Sequence, residues 1–219
     1  MNDSQIITDG NVLLTKEQTE EIWELGNAGA QKAAESLSTL LNREISIRVP
    51  SILMVNLGNL QDHIGDSLAA MVVFQIKGQV SGGGSLVLHV PKTSIMKLSS
   101  IMLGQPEGDR EIDEMDMSML HEIGNIMTSS YLDACATLLS IILLPSPPAM
   151  VIDMAHAVLA TIIATHEMDD NADQVFFFKT EMTCSEQEID AELFLLPSRA
   201  LLTELLERFR KVRASQSGA

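Results

Sequence analysis

Disulfide and metal scaffolding can be set aside first, because the 219 residues hold only two cysteines, Cys135 and Cys184, without metal-ligand spacing or a disulfide framework. Both read as reduced, buried small hydrophobes. Basic residues are also scarce: 14 Lys and Arg against 30 Asp and Glu leave a formal charge of −16. That balance disfavours nucleic acid or an anionic membrane as the main partner, since both need a positive surface that displaces counterions. Long apolar runs are missing. The longest nearly apolar stretch, residues 157–164 interrupted by Thr161, is far too short to span a bilayer. Residues 1–11 are polar and acidic, with neither the basic nor the apolar region of a signal peptide, so the expected location is the cytoplasm. Aromatics make up 4% of a chain that is 46% hydrophobic, so the core is built from aliphatic residues and Met. No Ser-His-Asp set, Cys-His pair or metal-ligand cluster is present, and His63, His89, His121, His156 and His166 are scattered without ligand spacing. The run Gly82-Gly83-Gly84 lacks the following helix and lysine of a phosphate loop.

What is present is a repeat. Glu24-Leu25-Gly26-Asn27 returns as Glu122-Ile123-Gly124-Asn125, 98 positions later (125 − 27 = 98), and each Asn is followed by a proline, Pro50 and Pro148, after 22 residues. Two copies with one spacing argue for an internal duplication. The helix cap Thr15, completed as a capping box by Gln18, maps onto Asp113 at the same offset. Pro91 and Pro197 are 106 apart, so the second half has gained eight residues (106 − 98), most simply in the loop 168–173. The halves are read as residues 13–107 and 111–213 of one domain over 1–219, joined at the Gly- and Pro-containing stretch 104–108.

Apolar or small residues at Ile22, Leu25, Gly29, Ala33, Leu37, Leu40 and Leu41 give a long amphipathic helix over 15–42, and residues 113–139 give its counterpart. Gly26 and Gly124, each costing roughly 1 kcal/mol relative to Ala inside a helix, suggest close approach of another backbone. Alternating Ile45, Ile47 and Val49 predict a short strand closed by Pro50. Residues 53–66 look irregular, with room for a short helix. Residues 69–76 with 85–90, and 175–182 with 188–196, read as two hairpins, and 92–103 with 198–212 as the helices after them. Residues 141–144 begin a strand and 151–164 are expected to be helical. The basic end of the last helix, Arg208, Arg210, Lys211 and Arg213, reads as a complement to the helix dipole.

On a helix, positions three apart share a face, so each Glu stands beside its Asn, and Glu20 and Ser118, four residues earlier, extend the two stripes. A carboxylate can hold a partner's lysine, and an amide can orient a water without titrating. Taken singly these are solvated helix residues; the paired recurrence raises their weight. With no nucleophile of its own, the chain can do chemistry by positioning water on a substrate that brings its own electrophile and metal.

The pattern resembles the CheC-type chemotaxis phosphatases. Ser118-x3-Glu122-x2-Asn125-x22-Pro148 matches the family consensus, (Asp or Ser)-x3-Glu-x2-Asn-x22-Pro, in full; the first copy departs from it only in carrying Glu20. The resemblance implies a three-layer α/β/α sandwich with an antiparallel sheet and pseudo-twofold symmetry. It also implies two sites that dephosphorylate the response regulator CheY. Each Asn would then position a water in line with the aspartyl phosphate, and each Glu would pair with a CheY lysine. No cofactor of the chain's own is implied; Mg²⁺ would belong to phosphorylated CheY. The receptor deamidase CheD is an implied partner, docking near residues 151–163, whose apolar content exceeds one buried face. CheX-like proteins carry one such site, and FliY adds a C-terminal flagellar-switch domain for which these residues leave no room. A monomer is expected. The alternative is a CheD-binding or flagellar-switch-binding protein with weak hydrolysis; a small-molecule hydrolase fits less well. Glu20 adds charge one turn before Glu24, so the two sites are expected to be unequal.

Overall fold

Thr15 sets the start of the first long helix: its hydroxyl accepts from the Gln18 N–H, and the Gln18 side chain accepts from the Thr15 N–H at 2.7 Å. The structure is a computed structural model that describes residues 6–8, 14–56, 59–64, 67–165, 174–184 and 186–217. In chain order its elements are β1 (Ile6–Thr8), α1 (Lys16–Leu41), β2 (Ser46–Asn56), α2 (Leu60–Ile64), β3 (Leu68–Gly78), β4 (Gly84–Pro91), α3 (Lys92–Leu103), α4 (Glu114–Leu139), β5 (Leu143–Pro145), β6 (Ala149–Met154), α5 (Ala155–Thr165), β7 (Gln174–Cys184), β8 (Ile189–Pro197) and α6 (Arg199–Ser217). Helix α4 opens on a second capping box, Asp113 with Asp116. Both long helices close on a residue in the left-handed region, Asn42 (φ 51°) and Ser140 (φ 53°). Helices α1 and α4 therefore begin and end 98 positions apart (114 − 16 and 139 − 41), the offset of the repeated motif.

The sheet runs β1-β2-β7-β8-β4-β3-β5, with β6 also paired to β3. Every pairing is antiparallel except that of β1 with β2. Exchanging β2 with β6, β3 with β7 and β4 with β8 reverses the order from β2 to β6 and leaves it otherwise unchanged. Each half's hairpin is thus completed by the strand that follows the other half's long helix. Alternation along β3 divides the core. Ala70, Val72, Phe74 and Ile76 pack with residues of α1 and α4, whereas Ala69 and Met71 join Phe177, Phe194, Ile64 and the apolar residues of α5 on the other face. That is the expected three-layer sandwich, with α1, α3, α4 and α6 on one side and α2 and α5 on the other. Among the described residues no helix is long and apolar enough to cross a membrane.

Several expectations are corrected. Pro50 does not close its strand: β2 continues to Asn56, and its register on β7 shifts between Arg48 and Ser51. A proline has no N–H to give the ladder, and an irregularity in a strand accommodates it. Residues 151–154 are strand rather than helix, because β6 pairs with β3 from Leu68↔Met154 to Val73↔Ala149. The apolar residues after it are not in excess, since Val158, Leu159, Ile162 and Ile163 are all buried in the second core; the exposed face of α5 is Ala157, Ala160, Thr161 and Ala164. The basic residues of α6 do not sit in its last turn. They pair sideways, Arg208 with Glu204, Arg210 with Glu21 and Arg213 with Glu24. Strand β1 was not foreseen, and the loop 168–173 lies outside the described residues.

Gly29 and Gly124 are required by side chains rather than by a neighbouring backbone. A Cβ on Gly29 would stand 2.7 Å from the Tyr131 ring, and one on Gly124 would stand 3.1 Å from Val72 Cγ1 and 3.2 Å from Phe74. Tyr131 is 1% exposed and has nowhere to move. Gly29→Ala is expected to cost about 1–3 kcal/mol in urea unfolding, because overpacking outweighs the helix-propensity gain. Gly124→Ala should cost less; equal costs would argue against the ring contact as the cause.

Candidate functional site

The long helices lie antiparallel, with the Cys135 thiol 3.7 Å from the Leu25 carbonyl oxygen and Gly29 against Tyr131. Ser36 and Ser130 join their hydroxyls at 2.7 Å in the same seam. Ile22, Leu25, Gly26, Gly29, Ala30 and Ala33 on α1, and Leu120, Ile123, Gly124 and Met127 on α4, are buried toward seam and sheet. What remains outward is the pair of predicted stripes. Glu20 is exposed and Glu24 and Asn27 half-buried on α1; Ser118 and Glu122 are exposed and Asn125 half-buried on α4. Because Leu25 meets Cys135, Gly29 meets Tyr131 and Ser36 meets Ser130, Asn27 is level with residues 133–139 of α4, which separates it from Asn125 by roughly 12–21 Å along the helix axes. Each stripe is therefore a separate place on one helical surface.

The structure groups the Glu and Asn of each copy but leaves the prolines elsewhere. Pro50 lies at the register shift of β2, and Pro148 in the break between β5 and β6. They occupy matching places after the two long helices.

Electrostatics differ between the stripes. Arg213 of α6 donates to Glu24 Oε2 at 2.8 Å, and Arg210 stands 3.5 Å from Glu21, which is 1% exposed. No ion pair to Glu122 is found among the described residues. Reading the sequence missed Arg210 and Arg213 as neighbours of the first stripe; their spacing along α6, read against the acidic Glu21 and Glu24 of α1, was the available signal. Burial pushes the Cys135 thiol up to about 12, so it stays protonated and inert. Among the described residues no group of three or more His, Cys, Asp or Glu gathers as a metal site. Buried His89 has its Nδ1 2.8 Å from Glu192 Oε2, a hydrogen bond within the sheet. A solvent-accessible amide beside a solvent-accessible carboxylate can dock a cation and orient a water; the attacked atom has to come from the partner.

Known proteins resemble this chain in sequence and in fold. The model of the CheC-like family matches residues 115–152, the span holding Ser118, Glu122, Asn125 and Pro148. The CheY-P phosphatase CheC of Bacillus subtilis is 31% identical over 191 residues, covering 84% of this chain and 90% of that one. The crystal structure of FliY from Thermotoga maritima superposes with a TM-score of 0.67 at 26% identity, over 92% of this chain and all of that one (100%). The middle domain of FliM from H. pylori shares the fold, with a TM-score of 0.60 at 12% identity, over 89% of this chain and 99% of that one.

Proposed function

The chain belongs to the CheC-like family, and from that premise we propose that it is a protein aspartyl-phosphate phosphatase acting on phosphorylated CheY. The observation that carries the reading is the pair of outward Glu and Asn stripes at equal positions on two antiparallel helices. Asn27 or Asn125 enters the CheY site and holds a water in line with the phosphorus. The water oxygen bonds to phosphorus as the bond to the aspartyl oxygen breaks, giving inorganic phosphate and a free carboxylate. Glu24 or Glu122 pairs with a CheY lysine and fixes the approach. Phosphoryl transfer needs little covalent help, and placement supplies much of the barrier reduction.

Mg²⁺ belongs to the substrate in this reading. Chelator is expected to leave the melting temperature of the isolated protein unchanged, since nothing bound only to the folded state is withdrawn, while hydrolysis follows the Mg²⁺ requirement of phosphorylated CheY. One metal per chain, lost together with activity and not restored by Mg²⁺ supplied to CheY, would revive a metal hydrolase. Timing phosphate loss from phosphorylated CheY with and without the protein tests the activity itself.

The same proposal treats residues 1–219 as one cytoplasmic, monomeric domain of two duplicated repeats, 13–107 and 111–213. CheD is carried as a second partner on family resemblance. Its docking near residues 151–163 would use the exposed small residues Ala157, Ala160 and Ala164 with Val151 of β6, because the larger apolar residues of α5 are buried.

A further inference from the structure

Helix α6 packs on both α1 and α4, whereas α3 packs on α4, and α6 is the longer of the two. With the starts aligned at Lys92 and Arg199, the last residue of α3, Leu103, matches Arg210, and residues 211–217 have no counterpart. Helix α3 stops there at Gly104, in the left-handed region with φ 67°. The extra turns of α6 carry Arg213 to the first stripe, where it bonds Glu24 at 2.8 Å. Its guanidinium also lies 5.1 Å from the centroid of the Phe209 ring, one turn back on the same helix, which steadies it over Glu24. Arg210 beside buried Glu21 fastens the extension to α1. Among the described residues no cation from a neighbouring helix pairs with the second stripe, and Glu122 stays open to solvent.

We propose that Arg213 is a positioning residue that makes the first site the weaker of the two: it occupies the Glu24 carboxylate that a docking lysine must take, so the first site engages only by exchanging one ion pair for another. The inference rests on the phosphatase reading above and gives the inequality between the sites a second, structural cause. Arg213 and Glu24 side chains are 51% and 45% exposed. An ion pair that open is weak, so its removal should strengthen docking by only about two- to fivefold.

The test uses two single-site proteins, Asn125→Ala, which leaves the first site, and Asn27→Ala, which leaves the second. Arg213→Ala is added to each, and hydrolysis of phosphorylated CheY is followed at steady state. In the first-site protein KM is expected to fall about two- to fivefold with kcat unchanged, and Arg213→Lys should keep the original KM. In the second-site protein neither constant should move. An unmoved or raised KM in the first-site protein, or an equal change in both, would overturn the proposal. Binding of CheY trapped with beryllofluoride, a phosphoryl mimic, separates the two readings. A Kd that falls with Arg213→Ala in a protein without hydrolysis sustains the inference and sinks the phosphatase; no binding by any of the proteins sinks both.

Discussion

Asn27→Ala combined with Asn125→Ala is expected to abolish nearly all hydrolysis of phosphorylated CheY, a fall of about a hundredfold or more, with the circular dichroism spectrum unchanged. Positioning is the whole contribution of each amide, and loss of placement in a phosphoryl transfer costs on that order. Both side chains are half-buried on the outer helical surface, so their truncation leaves no cavity in either core. Each single variant should retain activity from the other stripe, since roughly 12–21 Å along the helix axes separates the two amides. Wild-type rates in a folded double variant would remove the water-positioning mechanism.

The largest effect on stability is expected from Arg110→Ala. Asp116 is fully buried and accepts from Arg110 Nη1 at 2.5 Å, from Nη2 at 2.8 Å and from the Asp113 N–H at 2.9 Å; Nη2 also donates to Ser99 at 2.9 Å. One arginine thereby ties the joint between the halves to the start of α4 and to α3. Its removal leaves a buried carboxylate with only the Asp113 N–H and the Ser99 hydroxyl, a loss of roughly 3 kcal/mol, or about 6–12 °C in melting temperature for a chain of this size. The Arg110 guanidinium holds the Asp116 carboxyl well below the usual carboxylate range. A depressed carboxyl stabilises fully above its unfolded value, near pH 4, and that contribution drains away as pH falls toward the folded value. The stability of the wild type should therefore decline below about pH 4, and Arg110→Ala should flatten that limb. A loss under about 1 kcal/mol, or an unchanged acid limb, would show that solvent already carries the Asp116 charge.

The long helices were legible because three local signals coincide at each: a capping residue, an apolar face and a fixed offset to the other copy. The hairpins were legible from alternation broken by turn residues. The strand β6 was not, since Val151-Ile152-Asp153-Met154 runs into Ala155 without a breaker and the helix after it is apolar on too many sides to show a period; pairing with β3, distant in sequence, decides it. Pro50 was read as an end because its missing N–H is a local fact, whereas the register shift on β7 that admits it is a tertiary one. The Glu and Asn stripes followed from helical geometry alone. Arg213 did not, because its contact with Glu24 spans 189 positions, and nothing within α6 points to a residue of α1.

The most direct measurement of the central claim is phosphate release from phosphorylated CheY with this protein present at one-tenth of the CheY concentration or less. Many turnovers per chain, lost when both Asn27 and Asn125 are replaced, is the expected result. Release no faster than CheY alone, or an effect that stops at one CheY per site, would contradict it and leave a protein that binds CheY without hydrolysing its phosphate.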